Sequence, residues 1–106
     1  MAKYLVEANY TQEGLKGVIK EGGSGRVEAI NKVIQSVGGK VESVYFAFGD
    51  TDVYITVDMP DNVTAAGLSL IVSAAGGAKT KVTVLLTPAE IDAAVKLHPN
   101  YRLPGQ

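Results

Sequence analysis

The sequence predicts an α+β domain in which a four-stranded antiparallel sheet carries two main helices on one face. Four segments alternate apolar and polar residues with the period of a strand, whereas the segments after the first and third strands have helical periodicity. The second and third strands are separated only by Gly49-Asp50-Thr51-Asp52, whose glycine and aspartates tolerate turn conformations. These observations predict the order strand, helix, strand, strand, helix, strand.

The N-terminal part predicts one strand and two helical segments. Residues 4–10 form the first strand, and one of its faces carries Tyr4, Val6, Ala8 and Tyr10. Thr11 is suited to cap a short helix, which Gly14 and Gly17 each weaken by about 1 kcal/mol relative to Ala. Glu21 to Gly25 is rich in glycine and predicts an exposed, mobile loop. Residues 26–37 then predict the first main helix, which ends at the Gly38-Gly39 pair.

The central hairpin is predicted over residues 40–48 and 52–58. Strict alternation in the second strand separates Val44, Phe46 and Phe48 on one side from Val41, Tyr45 and Ala47 on the other. The third strand has Val53, Ile55 and Val57 on one side, and Tyr54 and Thr56 on the other. Met59-Pro60 ends it, because proline cannot donate to the sheet.

The C-terminal half completes a ferredoxin-like βαββαβ sandwich in a single domain, 1–106, with its core at 3–95 and a tail at 96–106. Asp61-Asn62 caps a helix to about Ala75, and residues 79–86 form the fourth strand. Thr87 to Glu90 has the pattern of a capping box and opens a last helix to about Leu97. Right-handed crossovers place both main helices on one face. The other face should then expose Tyr and Val side chains, and we expect a second subunit to cover it.

Composition limits the classes of partner. The chain has ten basic and eleven acidic residues and no basic stripe, so nucleic acid is not expected as a partner. It lacks cysteine and has neither a signal-peptide pattern nor a long apolar run, which favours a cytoplasmic protein without membrane contact. His98 is the only histidine, so a multi-histidine metal or haem site within one subunit is excluded, although a single axial ligand is not. No metal ion or cofactor is expected.

Several blocks together resemble the bacterial GYD-domain family over about residues 3–95. The blocks are Asn9 to Gly14, Gly38 to Val41, Phe48 to Val53, Met59 to Asp61 and Thr87 to Glu90. The family is named for a Gly-x-Tyr-Asp segment, and this chain has Thr51 where the tyrosine is expected. If that tyrosine contacts a ligand in relatives, this chain lacks the contact or uses Tyr45 or Tyr54 instead. The resemblance implies a dimeric α+β barrel, in which two ferredoxin-like subunits join sheets.

Five residues are candidates for binding a ligand: Tyr10, Arg26, Gly49, Asp52 and Tyr54. Gly49 lets the backbone approach closely, Asp52 offers an acceptor, and the phenol and guanidinium groups orient polar ligands. For Asp50 and Asp52 the simpler explanation is a turn role, in which their side chains cap backbone N–H groups. The glycine run before Arg26 lacks the Lys-Ser/Thr of a phosphate-binding loop.

The expected function is that of an uncharacterised GYD-type domain, a homodimer or higher homo-oligomer with a subunit cavity that binds a small molecule. Two alternatives remain open. The barrel grouping includes cofactor-independent monooxygenases and isomerases, and a purely structural or interaction domain is the third class. An enzyme or a binding domain needs an apolar pocket with a few converging polar groups, whereas a structural domain fills that space with side chains.

Overall fold

One antiparallel sheet and three helices form the structure, a computed structural model that describes residues 1–106. The elements are, in chain order, β1 (Ala2–Tyr10), α1 (Gln12–Ser36), β2 (Lys40–Phe46), β3 (Val53–Met59), α2 (Asn62–Ala74), β4 (Ala78–Leu85) and α3 (Pro88–Ala94). The strands lie in the order β2-β3-β1-β4, and all neighbours are antiparallel. The predicted α+β class and ferredoxin-like order are confirmed.

The core lies between the sheet and the two long helices. Alternation along β1 and β3 directs Tyr4 and Val57 towards this layer, where both are almost completely buried. Ile30 and Ile34 of α1 and Ala65 of α2 pack against them from the helix side. Complete burial of one such apolar side chain contributes about 1.5–3 kcal/mol. The Tyr4 hydroxyl donates a 2.6 Å hydrogen bond to Asn62 Oδ1, so its polar end is satisfied.

Helix α1 contains a kink where the sequence predicts a loop. Gly22 has φ 76° and ψ 172°, which lie outside the helical region, and helical residues continue on both sides of it. The prediction of a mobile loop over Glu21 to Gly25 is therefore wrong. Since glycine adopts positive φ without steric cost, one residue is enough to break the helix, and Gly23 to Gly25 form the next turn. The predicted exposure of residues 21–24 is confirmed.

The start of α1 is held against the loop between α2 and β4. Thr11 caps the helix by accepting from the Gly14 N–H, and its own N–H donates a 3.0 Å bond to the Gly77 carbonyl. The Thr11 hydroxyl donates a 2.8 Å bond to the Gly76 carbonyl. A Cβ atom on Gly14 would lie 1.9 Å from the Gly77 oxygen, so glycine is required for this approach.

Strand β2 contains a bulge that the alternation pattern does not reveal. Val41 pairs with Val57 and Ser43 pairs with Thr56, so Glu42 is the extra residue. The extra residue shifts the alternation, and Val41 and Val44 both pack against the core. The prediction that Val41 and Val44 lie on opposite faces is therefore wrong. The strand ends at Phe46 instead of Phe48. The Ala47 N–H still bonds the Asp52 carbonyl at 2.8 Å, but the Asp52 N–H donates to the Ala8 carbonyl instead of back to Ala47, so the pairing of the two strands stops there.

The helix-free face of the sheet is a mixture of charged and apolar residues. Its four large apolar side chains are Leu5, Tyr45, Tyr54 and Leu85, as the register of the strands shows. Lys3 forms ion pairs with Glu42 and Asp58, and these contacts raise its pKa. The valines of the sheet face the helices, so the expectation that valines are exposed on the helix-free face is wrong.

The chain after β4 forms a C-terminal arm, Leu86–Gln106, that contains α3. Thr87 and Glu90 form the predicted capping box, in which each side chain accepts a bond from the other residue's N–H. The regular helix ends at Ala94, three residues before the predicted end, although hydrogen bonds continue to Leu97. No helix of the structure is both long enough and apolar enough to cross a membrane.

Candidate functional site

A cavity of about 90 Å³ lies between the helix-covered face of the sheet and helices α1 and α2. Sixteen of its 19 lining residues are hydrophobic, and Arg26 is the only charged one. Three other polar side chains that reach this lining are paired: Ser69 bonds Thr80 at 2.6 Å, and the Tyr4 hydroxyl bonds Asn62. The polar groups that remain for a bound molecule are at one end of the cavity, at Tyr10 and Arg26.

A more open cleft of about 390 Å³ continues from that end of the cavity. It lies between the first half of α1 and the C-terminal half of α2, and its lining includes Val18, Glu21 and Ile71. Tyr10 and Arg26 line both the cavity and the cleft. The cleft reaches the volume of ordinary small-molecule sites, which begin at about 300 Å³, whereas the cavity alone does not. A ligand of ordinary size would therefore contact both.

Tyr10 is the last residue of β1, and its side chain follows Tyr4 and Ala8 on the helix-covered face. Its side chain is half-buried, and this burial raises the pKa of the phenol above its usual value. The positive charge of Arg26 opposes the rise, while the negative charges of Glu21 and Asp52 add to it. The phenol is therefore protonated at neutral pH and acts as a hydrogen-bond donor.

Arg26 lies just after the kink of α1 and has one unused buried donor. Its Nη1 atom is 3.2 Å from Glu21 Oε1, an ion pair between residues five apart. Residues at this spacing do not face each other on a regular helix, so the kink at Gly22 brings them together. The Nε atom of Arg26 is buried and has no hydrogen-bond partner in the protein. A buried donor without a partner costs about 1–3 kcal/mol, which an acceptor on a ligand would recover.

Comparison with protein families gives a match to the GYD domain over residues 4–95. The chain belongs to the GYD-domain family. The match covers the sheet except Ala2 and Lys3 of β1, together with both long helices and α3, in agreement with the resemblance of the sequence blocks. Neither the curated proteins nor the solved structures include a significant match.

Asp52 holds the β2–β3 loop of this GYD domain against the end of β1. Its Oδ2 atom accepts a 2.9 Å bond from the Tyr10 N–H. Its own N–H donates to the Asn9 side chain at 3.0 Å and to the Ala8 carbonyl at 3.1 Å. These contacts give Asp52 a structural role next to the site, and its role in binding a ligand stays a prediction.

The other two candidate residues of the GYD domain lie away from the cavity. Gly49 is at the exposed tip of the β2–β3 loop, and an added Cβ atom would have no neighbour within 4 Å. Tyr54 lies on the helix-free face, where it pairs with Tyr45 and Glu7. The structure thus brings Tyr10 and Arg26 together, with Asp52 behind the Tyr10 backbone. Thr51, in the position expected for the family's tyrosine, has its hydroxyl 3.4 Å from Glu7 Oε1.

Sequence reasoning missed Glu21 as part of this site. The glycine content predicts a mobile loop at Glu21, although its charge is opposite to that of Arg26 and the two residues flank the segment Gly22 to Gly25. Opposite charges on the two sides of a glycine-rich segment could have indicated this ion pair, because a glycine kink inside a helix changes which side chains face each other. Glu21 pairs with Arg26 and so fixes the position of the guanidinium group at the mouth of the cavity.

Proposed function

We propose that this GYD domain binds a neutral, mostly apolar small molecule that carries one hydrogen-bond acceptor, such as a carbonyl oxygen. The apolar part would occupy the cavity under the sheet-facing sides of α1 and α2, and the acceptor would lie between Tyr10 and Arg26. The observation that carries this proposal is the buried Nε of Arg26, a donor without a protein partner at the mouth of an apolar cavity.

The charges around Arg26 favour a neutral ligand. Arg26 already forms an ion pair with Glu21, and the negative charges of Glu21 and Asp52 both act on the Tyr10 phenol. A ligand carboxylate would meet the guanidinium group together with the carboxylates of Glu21 and Asp52, which offset much of the attraction of Arg26 for a negative charge. A carbonyl oxygen accepts from Nε–H and from the phenol without this penalty.

Binding is better supported than the enzymatic alternative of a cofactor-independent monooxygenase or isomerase. Proton abstraction by Tyr10 would require a lowered pKa, since a general base works best when its pKa is near the operating pH. The pKa of Tyr10 is instead raised by burial, which keeps the proton on the phenol. The Tyr10 phenol and the Arg26 Nε–H both donate and can orient a ligand acceptor. We therefore assign the site to ligand binding.

Three probes of similar size and different polarity test this proposal. Acetophenone carries a carbonyl, benzoate carries a charge, and ethylbenzene carries neither. We expect acetophenone to bind most tightly in NMR titrations, with shifts at residues that line the cavity. Equal binding of acetophenone and ethylbenzene would show that no donor is used, and tighter binding of benzoate would refute the neutral-ligand argument.

The Arg26→Lys variant tests the Nε–H donor independently of the positive charge. Lysine retains a positive charge for Glu21 but lacks the Nε–H, so the dissociation constant for acetophenone should rise by about 10-fold or more. The matched control is Arg102→Lys, because Arg102 lies in the exposed C-terminal arm. An unchanged affinity in the Arg26 variant, with its fold intact by circular dichroism, would contradict the proposal and favour a purely structural domain.

We also propose that the domain is a homo-oligomer that associates through the helix-free face of its sheet, in the cytoplasm of a bacterium. Support comes from the aromatic side chains on that face, since Tyr45 is 71% exposed and Tyr54 is 39% exposed. Cross-strand aromatic pairs of this kind provide contact area at low entropic cost. Sedimentation of the purified protein tests the association, and a monomer at high micromolar concentration would refute it.

A further inference from the structure

We propose that the C-terminal arm, Leu86–Gln106, docks on the helix-free face of a second copy of this chain, and that two copies exchange arms around a two-fold axis. The inference rests on the proposed homo-oligomer and adds the segment that holds it together. It predicts that the arm contributes to assembly and not to the fold of its own subunit.

The arm has regular structure and several large apolar side chains, yet none of its residues is buried in its own chain. Every residue from Leu86 to Gln106 is exposed, although α3 has a complete capping box. Ile91 and Val95 are one helical turn apart and form an apolar stripe on α3. The large apolar side chains of the arm and their exposed fractions are Leu86 57%, Ile91 45%, Val95 64%, Leu97 77%, Tyr101 70% and Leu103 59%. Such a concentration is typical of a surface that is covered by a partner.

The chain exposes more surface than a compact monomer of the same mass. The accessible surface is 7578 Å², whereas a compact chain of 11.1 kDa exposes about 5,700 Å². The surplus of about 1,900 Å² exceeds the roughly 800 Å² that each partner contributes to a stable interface. The radius of gyration agrees, because it is 16.9 Å where a compact chain of this length has about 13 Å.

The helix-free face is a suitable acceptor for the arm. It offers Leu5, Tyr45, Tyr54 and Leu85 as apolar contacts. Lys79 and Lys81 of β4 also lie on this face and make no ion pair in their own chain. The face therefore offers apolar contacts for the stripe on α3 and unpaired charges along its β4 edge.

Two-fold symmetry explains why the partner is a second copy. The arm and the face that accepts it are both present on every chain. In a two-fold dimer each arm therefore covers the face of the other chain, and both surfaces are covered on both chains. A different protein would need one surface that fits the arm and a second surface that fits the sheet. The net charge of −1 leaves little repulsion between two copies.

Sedimentation velocity across micromolar concentrations tests this proposal with full-length chains. We expect the wild type to be a dimer or a larger even oligomer. The double variant Ile91→Glu with Val95→Glu should raise its dissociation constant by about 100-fold or more, since both apolar contacts are lost. Because these residues are exposed in the single chain, circular dichroism should not change. The matched control, Asp92→Asn with Lys96→Gln, alters the polar side of the same helix and should weaken association by less than about tenfold.

The outcomes separate the two proposals. A monomeric wild type would overturn both the homo-oligomer and the arm exchange. An oligomer that persists in the Ile91 and Val95 double variant would overturn the arm exchange and leave the homo-oligomer standing.

Thiol labelling provides a second test that does not depend on an assembly-breaking variant. The chain contains no cysteine, so Val95→Cys introduces a single thiol. Its reaction with a maleimide should be about tenfold slower in concentrated oligomer than after dilution, because docking buries this position. Asp92→Cys should react at similar rates in both. Equal rates for Val95→Cys at all concentrations, as expected if only a foreign partner covers the arm, would overturn the proposal.

Discussion

Gly14 and Gly17 lie one turn apart in α1, and alanine should change stability in opposite directions at the two positions. A Cβ atom at Gly14 would lie 1.9 Å from the Gly77 carbonyl oxygen, which is backbone and has little freedom to move. A Cβ atom at Gly17 would have no neighbour within 4 Å. The same chemical change therefore meets a collision at one site and open space at the other.

The magnitudes follow from these contacts. To relieve the collision, the start of α1 must move away from Gly77 by more than 1 Å, which breaks the bonds that Thr11 donates to Gly76 and Gly77. Two lost hydrogen bonds and the remaining strain lower the free energy of unfolding by about 3 kcal/mol. The higher helix propensity of alanine offsets about 1 kcal/mol of this loss. Gly14→Ala should thus destabilise the protein by about 2 kcal/mol. Gly17→Ala should stabilise it by about 1 kcal/mol.

Urea unfolding and thermal melts measure both effects. The expected changes in Tm are a decrease of about 10 °C for Gly14→Ala and an increase of about 5 °C for Gly17→Ala. If both variants were stabilised equally, the close approach between α1 and the α2–β4 loop would not exist in solution. The cleft beside Tyr10, whose shape depends on that approach, would then be wider than described.

Three further substitutions test contacts elsewhere. Asp52→Ala removes the acceptor of the Tyr10 N–H and should lower the free energy of unfolding in urea by about 1–3 kcal/mol; lost ligand affinity with full stability would instead make Asp52 a binding residue. Gly39→Ala places a Cβ atom 2.8 Å from the Asp58 carbonyl oxygen and should cost about 1–3 kcal/mol, whereas an unchanged Tm would contradict this packing. Because burial raises the pKa of Tyr10, the unfolded chain loses this proton first as the pH rises, so wild-type stability falls from about pH 10 upwards. Tyr10→Phe should remove that part of the fall, and identical slopes in both proteins would show that the phenol is not buried.

Periodicity predicted the order of the elements because most of the structure follows local rules. The alternation in β1 and β3 and the capping residues Thr11, Asp61 and Thr87 all have the predicted roles. The errors came from single residues that change the local geometry. The extra residue at Glu42 shifts which side chains face the core, and the positive φ of Gly22 replaces a loop with a kink.

Only part of the site could be predicted from the sequence. The side-chain chemistry of Tyr10 and Arg26 marks both as candidates, but their proximity depends on the kink of α1 and on the distance between helix and sheet. Tyr54 could have been separated from Tyr10 by alternation alone, since its neighbour Val53 faces the core. The cavity itself was not predictable, because its volume depends on how closely two helices pack on the sheet.

The central claim is that Arg26 Nε–H binds an acceptor at the mouth of the cavity, and the NMR signal of this group tests it most directly. On titration with acetophenone, the Arg26 Nε–H resonance should shift and its exchange with water should become slower, because a carbonyl oxygen accepts the proton in a buried position. The Arg102 Nε–H signal should stay unchanged. An unmoved Arg26 signal at saturating acetophenone, with shifts confined to other residues, would contradict the account.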